Sequence, residues 1–201
     1  MSKPIFYGIL MACVLFGCEK KQPVTTTPDE VLSVAKKTSS DDVFQWQIDK
    51  GNLGPIRVGS HIKDLGGVLS GLDSIAVDVD AYKYGGGGKA YEYRKNGILL
   101  FALMPAMETD SIIAVMAVHP AFVTKNGLHA GSTAEEILKR KNLPIYMDLM
   151  SGGEEIRDTK NSVNFIFDTP EDSLMADYPD IDSPGVIKRN QTRCSWITIL
   201  H

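Results

Sequence analysis

The sequence predicts an α+β fold in which two tandem strand-helix-meander repeats place their helices on one face of a mainly antiparallel sheet. Three observations predict it. A Gly-Ser pair occurs twice, as Gly59-Ser60 and Gly131-Ser132, at a constant offset of 72 residues and with aliphatic residues matching around it. Each pair precedes apolar residues at helical spacing: Ile62, Leu65 and Leu69 in the first half, Ala134, Ile137 and Leu138 in the second. Short apolar runs, the signature of strands, then follow each helix.

The chain starts with a segment of a different kind. Lys3 precedes an apolar run from Ile5 to Phe16, and Gly17 stands before Cys18. That run falls short of the roughly 20 apolar residues a bilayer span needs, but it suits the core of a signal peptide. Residues 1–17 therefore read as a removable export signal. The tetrad Leu15-Phe16-Gly17-Cys18 resembles the lipobox of bacterial lipoproteins. The resemblance implies cleavage before Cys18, lipid on its thiol and acylation of the new amino terminus with a fatty acid such as palmitate. It implies a place in the cell envelope, on the outer membrane if the host is Gram-negative. Several acyl chains, at about 0.8 kcal/mol per buried methylene, hold such a protein permanently.

Residues 18–42 read as the lipidated cysteine and a polar tether. Within it Thr27 can cap a short helix that has Pro28 at its first position and Lys36 and Lys37 near its end. A flexible tether of this length holds a domain about 25 to 30 Å from the membrane.

The globular part is expected over 43–201, built of pseudo-repeats of about 43–122 and 123–201. Phe44, Trp46 and Ile48 alternate with Gln45 and Gln47, the period of a half-buried strand. In the first repeat Gly59 takes a left-handed turn and Ser60 caps a helix, which Gly66-Gly67 shortens. Strands are expected at Ser74–Val79, Ala90–Arg94, Ile98–Met104 and Ser111–Val118. In the second repeat Gly131 makes the turn, and Ser132 with Glu135 forms an S-x-x-E capping box. Lys139, Arg140 and Lys141 sit at the negative end of that helix. Strands are expected at Ile145–Met150, Ser162–Phe167 and Cys194–Leu200. A glycine, a capped helix and a meander, twice over, resemble two families: the small outer-membrane assembly lipoproteins of the SmpA/OmlA type and the tandem-repeat secreted β-lactamase inhibitor proteins. The resemblance covers roughly Pro55 to Leu200 and rests on the two Gly-Ser pairs and their aliphatic neighbours. It implies a fold and fixes no function.

No motif past Cys18 carries chemistry. Tyr84 to Lys89 holds four glycines and a lysine, but Ala90 stands where a phosphate loop needs Ser or Thr, and strand-forming residues follow. Ser33–Lys36 and Ser60–Lys63 match S-x-x-K without the companion motifs of penicillin-recognising enzymes. The histidines, His61, His119, His129 and His201, show no ligand spacing. Asp168 to Pro184 is acidic with no basic residue, and Asp177, Asp180 and Asp182 are the carboxylates that could meet a hard cation such as Ca²⁺. The EF-hand spacing is missing, and three prolines suit a solvated insertion equally well, so the sequence assigns no metal and no cofactor. Cys194, with Cys13 and Cys18 removed or lipidated, has no disulfide partner and reads as a small buried residue.

The formal charge is −4 at pH 7, and loss of Lys3 with the signal takes it to −5. No cluster of basic and aromatic residues points to nucleic acid. The leading expectation is a non-catalytic envelope lipoprotein, held to the membrane through Cys18, that binds another envelope or extracellular protein. One alternative is a small-ligand or metal-binding lipoprotein using the acidic loop. The other is a hydrolase whose site no motif reveals. The anchor reading gives a direct expectation. In cells fed a labelled fatty acid, Cys18→Ala should abolish incorporation and leave the unprocessed mass, whereas labelling of the variant would refute the lipobox.

Overall fold

The computed structural model describes residues 40–140, 142–148, 153–180 and 183–201. The signal, Cys18 and nearly all of the tether lie outside them. A 3-10 turn at Ser40–Gln45 leads into three short strands, β1 (Gln47–Asp49), β2 (Asn52–Leu53) and β3 (Ile56–Arg57). A meander of β4 (Asp73–Asp78), β5 (Lys89–Lys95), β6 (Ile98–Pro105) and β7 (Ile112–Ala117) comes next. After β8 (Val123–Thr124) comes α1 (Ala134–Arg140), then β9 (Ile145–Asp148), β10 (Gly153–Asp158) and β11 (Val163–Phe167). The hairpin of β12 (Ala176–Asp177) and β13 (Val186–Ile187) precedes the last strand, β14 (Trp196–Ile199).

Eight of these strands form one antiparallel sheet in the order β4-β5-β6-β7-β14-β11-β10-β9, and a smaller sheet runs β3-β2-β1-β8. The main core lies against one face of the large sheet. Phe101, Leu103, Val115, Phe165, Phe167, Ile197 and Ile199 project from that face to meet Trp46, Ile48, Leu53 and Ile56 of the small sheet region and Ala134 and Ile137 of α1. Strand alternation turns Ala90, Ala102, Met104, Ala114, Met116 and Trp196 to the opposite, outer face, where they form a second, smaller cluster under Val79 and Tyr82.

This architecture corrects the α+β expectation. The domain is mostly β, and among the described residues α1 is the one α-helix, seven residues long. Where the first repeat was to carry a helix there is a four-residue 3-10 turn, Ile62–Leu65. Its N-cap position is His61, which makes no side-chain cap, and Gly66 follows its last residue. A short uncapped segment ending on glycines cannot propagate an α-helix. The feature common to the two halves is therefore a turn. The Gly59 amide donates to Ile112 O (2.7 Å) and the Ile112 amide to Ser60 O (2.9 Å), while the Gly131 amide donates to Cys194 O (2.7 Å) and the Cys194 amide to Ser132 O (2.9 Å). Both glycines have φ near +90°, which only glycine adopts cheaply.

The caps also differ from expectation. Ser60 donates its hydroxyl to Arg57 O (2.6 Å), and Ser132 Oγ accepts from the His129 amide (3.1 Å), so neither serine caps a helix. The capping box lies one residue further on. Thr133 Oγ1 accepts from the Glu136 amide (3.2 Å), and a Glu136 carboxylate oxygen accepts from the Thr133 amide (2.8 Å). The cause is the turn itself, which ties Ser132 O to the Cys194 amide and holds Ser132 one residue outside the helix. Upstream, the 3-10 turn breaks the alternation expected over Phe44, Trp46 and Ile48. Trp46 and Ile48 are buried, but Phe44 faces solvent and meets His119 edge-on at 5.3 Å.

Loss of a cap typically costs about 1 kcal/mol. Thr133→Ala should lower the unfolding free energy by about that amount in a urea titration. Ser60→Ala, which removes no cap and alters an exposed turn, should fall well short of it.

Candidate functional site

Two concavities mark the domain. One is a cleft of about 450 Å³ between the β1 and β8 ends and the turn Thr159–Asn161. Its rim mixes signs: Lys125 pairs with Asp49 at 2.9 Å, Lys50 and Lys160 stand nearby, and Asp158 holds the Asn161 side chain at 2.7 Å. The other is a trough of about 330 Å³ on the outer face of the large sheet. Met104, Ile113, Ala114, Met116, Ile166 and Leu200 floor it, and Tyr82 and Tyr84 form a wall.

The sheet register explains the trough. One cross-strand row on this face reads Ile75, Glu92, Ala102, Met116, Thr198, Asn164 and Arg157. The neighbouring pair is Met104 beside Ala114. The small side chain of Ala114 leaves room there, and Met104 and Met116 beside it have adaptable side chains. Charged residues of the row stand only toward its flanks.

Those flanking groups are committed to one another. Glu92 accepts from Tyr82 Oη (3.0 Å) and from Arg94 through Nε (3.2 Å) and Nη2 (2.6 Å). Burial and the adjacent Glu92 carboxylate push the Tyr82 hydroxyl well above the usual phenol range, so it stays a donor. Tyr82 packs edge-on against Trp196, with ring centres 5.6 Å apart. On the opposite side Glu155 pairs with Arg157 and accepts from the Asn164 amide nitrogen at 2.7 Å, while the Arg157 guanidinium lies 4.6 Å from the Tyr146 ring centre. Across the mouth Lys83 meets Asp168 at 3.0 Å.

Glu154, fully buried, borders the same trough. Its carboxylate accepts four hydrogen bonds: from Met175 N (2.6 Å), Ala176 N (2.9 Å), Thr169 Oγ1 (2.9 Å) and Tyr178 Oη (2.8 Å). Burial, then the bond to Glu154, raises the Tyr178 pKa and keeps that phenol protonated. One carboxylate thus fastens the acidic segment to β10. The arrangement can hold an apolar ligand but presents no activated nucleophile among the described residues. Burial pushes the Cys194 thiol up to about 12, so the sulfur is protonated at neutral pH.

No family model matches the chain, and no curated protein matches it. A solved structure does. The chain is similar in fold to a crystal structure described as the uncharacterized protein yfeY from Escherichia coli, with a TM-score of 0.50 and 11% identity over 78% of this chain and 99% of that one. At that identity the likeness to yfeY is one of fold alone.

The residues singled out from the sequence are scattered. Gly59, Ser60, Gly131 and Ser132 form the two turns beside the main core and touch neither concavity. Asp177 is turned to Lys188, outside the acidic segment, and Asp180 is also engaged, while Asp182 lies outside the described residues, as does Cys18. No group of three or more potential metal ligands occurs among the described residues. Ser60 and Lys63 of the S-x-x-K match face different partners: Lys63 reaches Asp110 at 3.5 Å, which His61 also contacts at 2.7 Å. The glycine-rich loop leads from a 3-10 turn into β5 and opens no helix. Glu154, Glu155 and Arg157 escaped the sequence reading altogether, because Glu-Glu-Ile-Arg-Asp looks like a solvated loop. The one hint was Ile156 between charges, which faces Phe165 across the β10-β11 ladder.

Glu154→Ala should release the segment from 169 to 178. Leaving two buried amides and two hydroxyls without their acceptor costs several kcal/mol, since each orphaned buried group costs about 1 to 3. Limited proteolysis should then cut within residues 169–187 first, at a protease level that spares the parent chain.

Proposed function

We propose that this protein is a non-catalytic, membrane-anchored envelope lipoprotein whose domain binds a small amphipathic ligand in the trough on the outer face of its large sheet. The observation that carries the reading is an open apolar hollow of about 330 Å³ in which the flanking Glu92 and Glu155 are already paired. That volume is within the usual range of ligand pockets, about 300 to 1,000 Å³. A ligand gains chiefly by burying its apolar body on the half-buried Ile113, Ile166 and Leu200, and its polar end meets the rim near Asn164 and Thr198. The lipobox-like tetrad ending at Cys18 supports a place at the membrane. A second reading, a protein partner, is favoured by one observation: among the described residues nothing pairs with the outer edge of β4.

The trough reading is tested with residues 18–201 made without the signal, so that Cys18 stays unacylated. N-phenyl-1-naphthylamine should brighten on binding, and laurate should displace it. Ile113→Trp, which fills the trough, and Leu200→Lys, which puts a charge on its floor, should each weaken the dye at least tenfold while the circular dichroism spectrum is unchanged. Equal binding by both folded variants would rule the trough out.

A further inference from the structure

We propose that β4 is a docking edge for an extended segment of another protein, added as a ninth strand and flanked by lysine or arginine. This goes beyond the trough reading and does not rest on it. Among the described residues β4 has a single neighbour, β5, and five of its six residues are exposed, with Val77 half-buried. Alternate residues of an edge strand turn both backbone groups outward. Among the described residues, no backbone hydrogen bond from beyond the ladder reaches residues 73–78. The opposite edge is treated differently: the Gly185 amide donates to Ile145 O of β9 at 2.8 Å and caps that edge. Apart from the aspartates at its two ends, β4 lacks the usual protections. Its register with β5 is regular over six pairs, and it contains no proline and no lysine.

The charges choose the occupant. Asp73 and Asp78 mark the two ends of β4, both exposed, and the Asp78 carboxylate accepts from the Asp80 amide at 3.1 Å and has Lys89 at 3.9 Å. A second copy docked on the same strand would bring its own Asp73 and Asp78 to a strand that holds two aspartates and no basic residue, adding like charge to like. Basic residues at those two places are stabilised instead. Between the ends, Ile75 is half exposed and shares the outer face with Val77, which packs on the second core cluster. Ser74 and Ala76 face the other way. The guest strand therefore carries apolar residues at alternate positions, opposite Ile75 and Val77, with a basic residue at each end.

The test uses residues 18–201 and three synthetic peptides. The first alternates valine with threonine between paired lysines. The second has glutamates in place of the lysines. The third is the lysine peptide with its valines N-methylated, which cannot extend a sheet. By fluorescence anisotropy the lysine peptide should bind at least tenfold tighter than either of the others. By hydrogen exchange it should slow the amides of residues 73–78. In the exposed double variant Asp73→Lys/Asp78→Lys the preference should invert toward the glutamate peptide. Binding that leaves residues 73–78 unprotected, or that survives N-methylation, would overturn the proposal, and so would an unchanged preference in the double variant. Concentration-dependent protection of residues 73–78 without any peptide would overturn it in favour of a second copy.

Discussion

Between β7 and β14, the pairs Ala117 with Ile197, Met116 with Thr198 and Val115 with Ile199 join strands about 80 residues apart in the chain. The ladder is the seam of the domain. On one side hangs the meander β4 to β7, on the other β14, β11, β10 and β9, and among the described residues no other strand pairing connects the two halves of the large sheet. Its core side is packed with Val115, Ala117, Ile197 and Ile199, all at most 1% exposed, and its outer side supplies Met116 and Thr198. Both the main core and the trough therefore depend on a strand that is nearly the last part of the chain. Such closure has the highest loop entropy of any contact in the sheet, and folding should wait for it.

The Gly-Ser turns work on the same seam. Gly59 and Ser60 bracket Ile112 at the start of β7, and Gly131 and Ser132 bracket Cys194, just before β14. The turns were legible in the sequence because a glycine held near φ +90° leaves a trace that no other residue can replace. The element after each turn was not legible. Helical spacing of apolar residues is satisfied by a 3-10 turn packed on the core as well as by an α-helix, and only the second turn has Thr133 and Glu136 to cap one. Local pattern placed the long strands well, since Leu100 to Met104 and Val115 to Ala117 are nearly continuous apolar residues. It failed at β10, where the core side carries Glu154 and Asp158 beside Ile156. A fully buried glutamate is readable only through its partners, and Thr169, Met175, Ala176 and Tyr178 lie 15 to 24 residues away.

The acidic segment shows the same limit from the other direction. Taken alone, six carboxylates without a base look like a place for a cation. In the fold two of them are met from outside the segment, Asp168 by Lys83 and Asp177 by Lys188, and the backbone is held by Glu154. Charge balance of this kind is set by topology, so composition within a window cannot disclose it.

The functional reading rests on the outer face of the sheet for a reason of packing. Across the sheet, the core side of the central strands carries Tyr93, Phe101, Leu103 and Val115, while the outer side carries Ala90, Ala102 and Ala114. A larger residue at Ala114, which lines the trough, would fill it, and each Å² of apolar surface removed from water stabilises a fold by about 25 cal/mol. The domain forgoes that stabilisation at the trough. It also surrounds the hollow with ion pairs that are satisfied within the domain, so the flanking charges draw no counter-ion into it. An apolar ligand gains the burial that the side chains leave unmade. At the β4 end, the row from Met116 through Ala102 and Glu92 reaches Ile75, half exposed at the open edge. The trough and the edge thus lie on the same face of one sheet, with Val79 and Tyr82 packed between them, and a guest strand on β4 would extend that face.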